Sequence, residues 1–233
     1  MGRAKEIKVK VIPSKIANEF VKKYHYSGKV VNNSSLHFGC FLDERLHGVL
    51  SYGSSMDKKA SSKYVKNTGW NEFLELNRMA FDDYLPKNSE SRCIAISLKL
   101  IKKNAPHIKW VVSFADGTQS GDGTIYRATG FYLTSIKKNS SIFKNDKGDV
   151  ACSMTYSKSK YALNNKGSAG AHKLLVSKGY KKAEGNQFRY IYLIDKTCKL
   201  NVPIIPYSKI DELNAGMYKG KKISIKERNA SIV

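Results

Sequence analysis

The pattern of apolar and polar positions is clearest over residues 110–136, WVVSFADGTQSGDGTIYRATGFYLTSI. The unbroken apolar run from Trp110 to Ala115 predicts a strand covered on both faces. Asp116 stands where that strand stops, and three glycines fall in the next seven residues. A short helix is predicted over Thr124 to Thr129, with Ile125 and Ala128 on one face, and Gly130 suits the left-handed position that closes it. Phe131 to Ile136 resumes as a strand of aromatic and β-branched residues.

Upstream, Glu6 to Ile12 alternates around lysines as an edge strand stopped by Pro13. Ser14 is placed to cap a helix running to about Tyr24, with Ile16, Ala17, Phe20, Val21 and Tyr24 at helical spacing. Leu36 to Leu42 and Leu46 to Tyr52 form a hairpin across Asp43-Glu44-Arg45. Phe73 to Phe81 reads as a strand with Leu74, Leu76 and Met79 turned to a core and Glu75, Asn77 and Arg78 competing for the other face. A helix begins near Asn88 or Ser89, carries Ile94, Ala95, Leu98 and Ile101 as its apolar stripe, and ends at Pro106. Arg189 to Ile194 is a further strand. The rest is polar: a mobile loop over one edge at 54–69, a Lys/Ser/Asn-rich insertion at about 137–187 with one helical stretch at 169–178, and a basic tail expected to fray after about 218. The order predicts an α/β fold with a mixed central sheet, neither doubly wound nor a barrel, built as a single domain over 1–233. No internal repeat is visible.

Composition sharpens this. With 233 residues and 41% hydrophobic positions the chain can bury a real core. Forty-one Lys+Arg against 19 Asp+Glu give a formal charge of +22, a field that favours polyanions, of which nucleic acid is the commonest. The plainer reading is lysine that only aids solubility. Cys40, Cys93, Cys152 and Cys198 form no CxxC pair, and His37, His47, His107 and His172 lack ligand spacing, so no metal site is predicted. With neither a membrane-length apolar run nor a signal-peptide core, a cytoplasmic protein without membrane contact is expected.

The element order resembles the acyltransferase fold of the GCN5-related N-acetyltransferase superfamily, whose late helix GTIYRATGF is similar to. A closer resemblance is to the Mom family of phage DNA-modification proteins. It is carried by HYSG (25–28), FGCFLDERLHGVLSYG (38–53), LELNRMAF (74–81), PKNSESRCI (86–94), VVSFADGTQSGDGTIYRATGF (111–131) and RYIYLI with PIIPYSK (190–209). That resemblance implies an enzyme converting the N6 amine of adenine in double-stranded DNA to N6-carbamoylmethyladenine, which shields phage DNA from host restriction. One departure concerns the donor. Where the superfamily has a glycine-rich diphosphate loop, this chain reads PKNSESRCI, with no glycine and with Glu90 already facing the helix dipole. The donor is therefore unassigned, with acetyl-CoA one candidate.

Such chemistry needs a proton acceptor for a weakly nucleophilic amine, an acid for the leaving group and an aromatic surface for a flipped base. Asp116 is the first choice as proton acceptor or orienting carboxylate, its alternative being a turn cap. Tyr126 is the choice for the acid, or else a packing aromatic. Arg78, in an apolar strand, needs a partner: Asp116, Glu75 or a donor group. His25 and Tyr26 follow the first helix as base or adenine contact, or as a helix end satisfied locally; Ser113 shares the strand that leads to Asp116. Ser89, Ser91 and Arg92 are donor-site candidates with helix capping as the alternative. Lys58, Lys59 and Lys63 (58–66), Lys158 and Lys160 (158–161), and the stretch 178–182 interleave tyrosine with lysine, suiting DNA phosphate contact. Two rivals stay open: an acetyl-CoA-dependent N-acyltransferase on a protein or small amine, and a protein that coats DNA without altering it.

Overall fold

The computed structural model describes residues 3–157, 159–219 and 221–230. In chain order it contains β1 (Lys8–Val11), α1 (Ser14–Tyr24), β2 (Ser34–Leu42), β3 (Arg45–Gly53), α2 (Lys58–Ser61), β4 (Phe73–Phe81), α3 (Ser89–Asn104), β5 (Trp110–Asp116), α4 (Thr124–Ala128), β6 (Tyr132–Lys138), β7 (Ile142–Lys144), β8 (Val150–Cys152), α5 (Ser153–Tyr156), α6 (Lys160–Asn164), α7 (Ser168–Ser177), β9 (Lys181–Lys182), β10 (Asn186–Leu193), α8 (Ser208–Glu212), β11 (Met217–Tyr218), β12 (Lys221–Lys222) and α9 (Ile225–Ala230). The expected mixed α/β sheet is present, seven strands in the order β1-β2-β3-β4-β5-β10-β6. β1 through β4 pair antiparallel, and β4 pairs parallel with β5. Among the described residues no helix is long and apolar enough to cross a membrane.

The contacts divide the chain into two compact units: 1–115 with 123–135 and 188–209, and 116–122 with 136–187 and 210–233. In the first, α1 lays Ala17, Phe20 and Val21 on Ile12, Val49 and Ala80, while Phe73, Trp110, Val112, Ile191 and Leu193 form a second core cluster in which the Phe73 and Trp110 rings stack at 4.2 Å. The β2–β3 hairpin turns on two residues, Asp43 and Glu44, both at positive φ. That conformation matches the twist of the flanking strands, and Arg45 already belongs to β3.

Several expectations are corrected. Ser14 does not cap α1: Pro13 occupies the N-cap, with no side-chain bond. Phe114 is 45% exposed, because β5 outruns the apolar cover that buries Val112 two residues earlier on the same face. The 54–69 segment is anchored, with α2 capped by Asp57 and Val65 buried and bridged to Leu200. In the second unit, 137–187 holds a three-stranded sheet, β8-β7-β9, with Phe143, Ala151 and Leu175 as its core, and three helices where the sequence suggested one. The tail expected to fray carries the β11–β12 pairing, and the Ile225 N–H donates to Asp211 Oδ1 at 2.7 Å.

Candidate active site

The polar residues of the first unit gather where β4 loses its regular partners. Its parallel ladder with β5 runs from Phe73–Trp110 to Leu76–Ser113 and ends there, although β4 continues to Phe81. On the other side, Ser51 pairs with Arg78 but Tyr52 with Leu76, so Asn77 is an extra residue. A bulge of this kind bends the strand and re-aims neighbouring side chains. Here the neighbours are Glu75 and Arg78.

Glu75 is half-buried, and that burial raises its carboxyl pKa. Ser55, Asn77, the Arg78 charge and a backbone bond at Met56 pull it down by less. Arg78 finds its partners in the backbone, with Nε donating to Lys29 O at 3.0 Å and Nη1 to Asn77 O at 2.8 Å. Burial lowers the guanidinium pKa, and the nearby Tyr26 and Glu75 oppose that effect. In the sequence Glu75 is no more than a possible mate for Arg78. The signal for a larger role was a carboxylate inside an apolar strand, which has to be satisfied or functional.

His25 ends α1, yet its ring is not spent on helix carbonyls. The Ser27 N–H donates to Nδ1 at 3.1 Å and the Ser27 hydroxyl lies 2.8 Å from it, which leaves the neutral ring's proton on Nε2. Burial, then the Arg78 charge, depress the His25 pKa to about 4. A ring so weakly basic suits hydrogen-bond donation better than proton abstraction. Tyr26, 53% exposed, packs against it with ring centroids 4.2 Å apart. Between pH 6.5 and 4 the unfolded chain binds a proton that folded His25 refuses, so stability falls as pH drops through that window and is unaffected above it. His25→Gln is expected to remove this dependence, on the order of 1–2 kcal/mol, measurable as denaturant midpoints of both proteins at pH 7 and 4.5.

Tyr126 is held from both ends of α4. Gly123, at φ +87°, starts the helix. Gly130, at φ +84°, closes it, with its N–H donating to Arg127 O and the Phe131 N–H to Tyr126 O, both at 3.0 Å. The phenol is buried between the Phe131 and Tyr190 rings, at 5.4 and 5.2 Å. Burial raises its pKa, a hydrogen bond with Ser113 lowers it, and the Glu75 charge raises it again. Ser113 in turn donates to Leu76 O at 3.2 Å, where the β4–β5 ladder ends. Ser113, Tyr126, Glu75, Arg78, His25 and Tyr26 thus form one neighbourhood.

The remaining sequence candidates make other bonds. The Asp116 carboxylate knots its own turn: Oδ1 accepts from the Thr118 N–H at 3.0 Å and the Thr118 hydroxyl at 2.6 Å, and Oδ2 accepts from Gln119 Nε2 at 3.1 Å. That is the behaviour of a turn-forming aspartate. At the start of α3, Ser89 donates to Pro86 O, Ser91 to Asn88 O at 3.2 Å, and Arg92 Nη2 to Lys5 O at 3.1 Å. With Glu90 in the first turn and both hydroxyls turned onto local carbonyls, this helix end does not fit the diphosphate of coenzyme A. Lys58, Lys59, Lys63 and Lys160 are exposed, and Lys158 lies outside the described residues.

The model of the Mom protein family matches residues 6–209. The chain belongs to the Mom protein family. A Mom relative from Escherichia phage Mu, named methylcarbamoylase mom, is 34% identical over 218 residues, covering 88% of this chain and 85% of the relative. Solved structures similar to this chain include the ribosomal-protein-S18-alanine N-acetyltransferase of Escherichia coli (10% identity, 81% of this chain and 94% of that one, TM-score 0.46). Another is an IAA acetyltransferase of Bacillus cereus (11% identity, 80% and 99%, TM-score 0.47). The fold assignment for this Mom chain rests on its own strand order rather than on those scores.

Proposed function

We propose that this chain modifies the N6 amine of adenine in double-stranded DNA to N6-carbamoylmethyladenine, protecting phage DNA from restriction. Membership of the Mom family and the name of the phage Mu relative support this reading, as does the +22 charge. The observation that carries it is a half-buried carboxyl, Glu75, beside the Asn77 bulge where the β4–β5 ladder ends, near the buried Tyr126 phenol, with burial raising the pKa of both. Two titratable groups poised this way divide into a proton acceptor and a proton donor.

The adenine N6 lone pair attacks the carbon of an activated carbamoylmethyl group. An N6–C bond forms, and the bond from that carbon to its leaving group breaks. The N6 proton passes to Glu75, whose raised pKa makes its carboxylate a better acceptor than an exposed one. Tyr126, kept protonated by burial, gives its proton to the leaving group, with Ser113 fixing the phenol. Arg78 steadies Glu75 and the developing charge. The His25 ring and Tyr26, both near the Arg78 charge, complete the polar neighbourhood around Glu75. An N-acyltransferase using coenzyme A fits less well, because the α3 hydroxyls are already spent.

Nucleoside mass spectrometry on plasmid DNA from cells expressing the chain tests the reading. A new adenine nucleoside heavier by the carbamoylmethyl unit, reduced about 10²-fold or more by Tyr126→Phe, is expected. Unmodified adenine beside a folded, DNA-binding protein would sink it.

A further inference from the structure

The same unit holds a cavity of about 400 Å³ that no step above uses. Its size falls within the roughly 300–1,000 Å³ of small-ligand sites. Phe73 and Leu74 of β4 line it, Glu75 is the next residue of that strand, and Ser54 lines it beside Ser55, a partner of Glu75.

Trp70 stands on its rim. At 64% exposure it is the most exposed large aromatic among the described residues, yet the turn that carries it is pinned. Glu72 Oε2 accepts the Gly69 N–H at 2.6 Å, while Oε1 pairs with Lys109 Nζ at 2.6 Å. Trp110 Nε1 donates to Thr68 Oγ1 at 3.1 Å. An indole left in water on a rigid turn loses little conformational freedom when something stacks on it. Lys58 lies with Nζ 4.8 Å from the indole centroid, bringing a positive charge to the same rim. The remaining lining is amide-rich: Asn32 and Asn71 are exposed and carry the adjacent acceptor and donor that adenine's edge pairs with. A cation, a flat aromatic and carboxamides around one small cavity are what an unstacked nucleobase with its phosphate requires.

We propose that this cavity receives the target base extruded from the duplex, with Trp70 as its stacking platform, Asn32 and Asn71 reading its edge and Lys58 meeting the flanking phosphate. The assignment rests on the adenine-modification reading but is testable apart from it. Only two tryptophans are present, and Trp110 is fully buried, so stacking at the cavity reports through Trp70 emission.

The intact protein is titrated with a short oligodeoxyadenylate and with an abasic strand of equal length. The adenine strand is expected to quench Trp70 and the abasic strand not to. By fluorescence anisotropy of labelled strands, Trp70→Ala should weaken the adenine strand roughly 5- to 150-fold, the range for one lost stacked base, with the abasic strand unchanged and Trp70→Phe restoring most of the loss. Equal loss on both strands, or none, overturns the assignment. In the nucleoside assay, full modification by Trp70→Ala overturns the cavity while leaving adenine modification standing. Adenine-specific quenching by a wild type that modifies nothing keeps the cavity as a base site and removes the proposed reaction.

Discussion

Glu75→Gln is expected to lower adenine modification by a factor of about 10² to 10⁴ without unfolding the protein, the span lost when a positioned base is removed. Glutamine keeps the shape and can still bond to Ser55, but it cannot accept the N6 proton. The stability side has the opposite sign. Because burial raises the folded pKa of Glu75 above its ordinary value of about 4.5, its stabilising contribution is full below that value and is lost as pH rises through the raised one. Near neutral pH the variant should therefore melt no lower than the wild type. Modified nucleoside counted early after induction, together with thermal melts at pH 5 and pH 7.5, separates the two effects. Wild-type rates from Glu75→Gln would move the proton acceptor elsewhere, and Asp116→Asn would be the next variant to measure.

How far the sequence led depends on where each signal is local. α1, Ser14–Tyr24, and β4, Phe73–Phe81, appear where their periodicity predicts them, but Ile16 and Tyr24 of the α1 stripe are exposed, and β4 buries Asn77 and Ala80 while Leu74 and Met79 are only half-buried. Gly130 was readable as the residue closing α4 because the left-handed position is a one-residue requirement. The bulge at Asn77 was not readable. It is a register slip between two strands, decided by what β3 and β4 bury together. The β8-β7-β9 sheet escaped because Lys181–Lys182 and Ile142–Lys144 are too short and too lysine-rich to show alternation. Among site residues, Ser113 and Tyr126 were placed in one strand–turn–helix passage, and the fold brings them together. The roles proposed for Glu75 and Trp70 depend on neighbours more than fifteen residues away, Tyr126 for one and Asn32 for the other, which no local pattern shows. For Asp116 the sequence offers a proton acceptor, an orienting carboxylate or a turn cap at a strand end, and its hydrogen bonds close a turn.

Gly123→Ala should cost both fold and activity, and comparison with Gly130→Ala shows why. The two glycines bracket α4 at nearly the same positive φ, +87° and +84°. An alanine at either meets the left-handed backbone penalty of about 1–2 kcal/mol. At Gly130 nothing lies within 4 Å of an added Cβ, so the penalty ends there. At Gly123 the Cβ would lie 2.3 Å from Cε2 and 2.8 Å from Cζ of Tyr190, a fully buried ring that packs on Tyr126. A buried ring cannot yield without disturbing its neighbours, and overpacking of this kind adds about 1–3 kcal/mol. Gly123→Ala is thus expected to lose about 2–5 kcal/mol by chemical denaturation, against about 1–2 for Gly130→Ala. Whatever native protein remains should modify DNA poorly, since relief of the overlap comes by shifting Tyr190 or α4 and either movement displaces the Tyr126 phenol from Ser113. Equal costs at the two glycines would mean that Tyr190 moves freely, and the rigid placement of Tyr126 would then have to come from elsewhere.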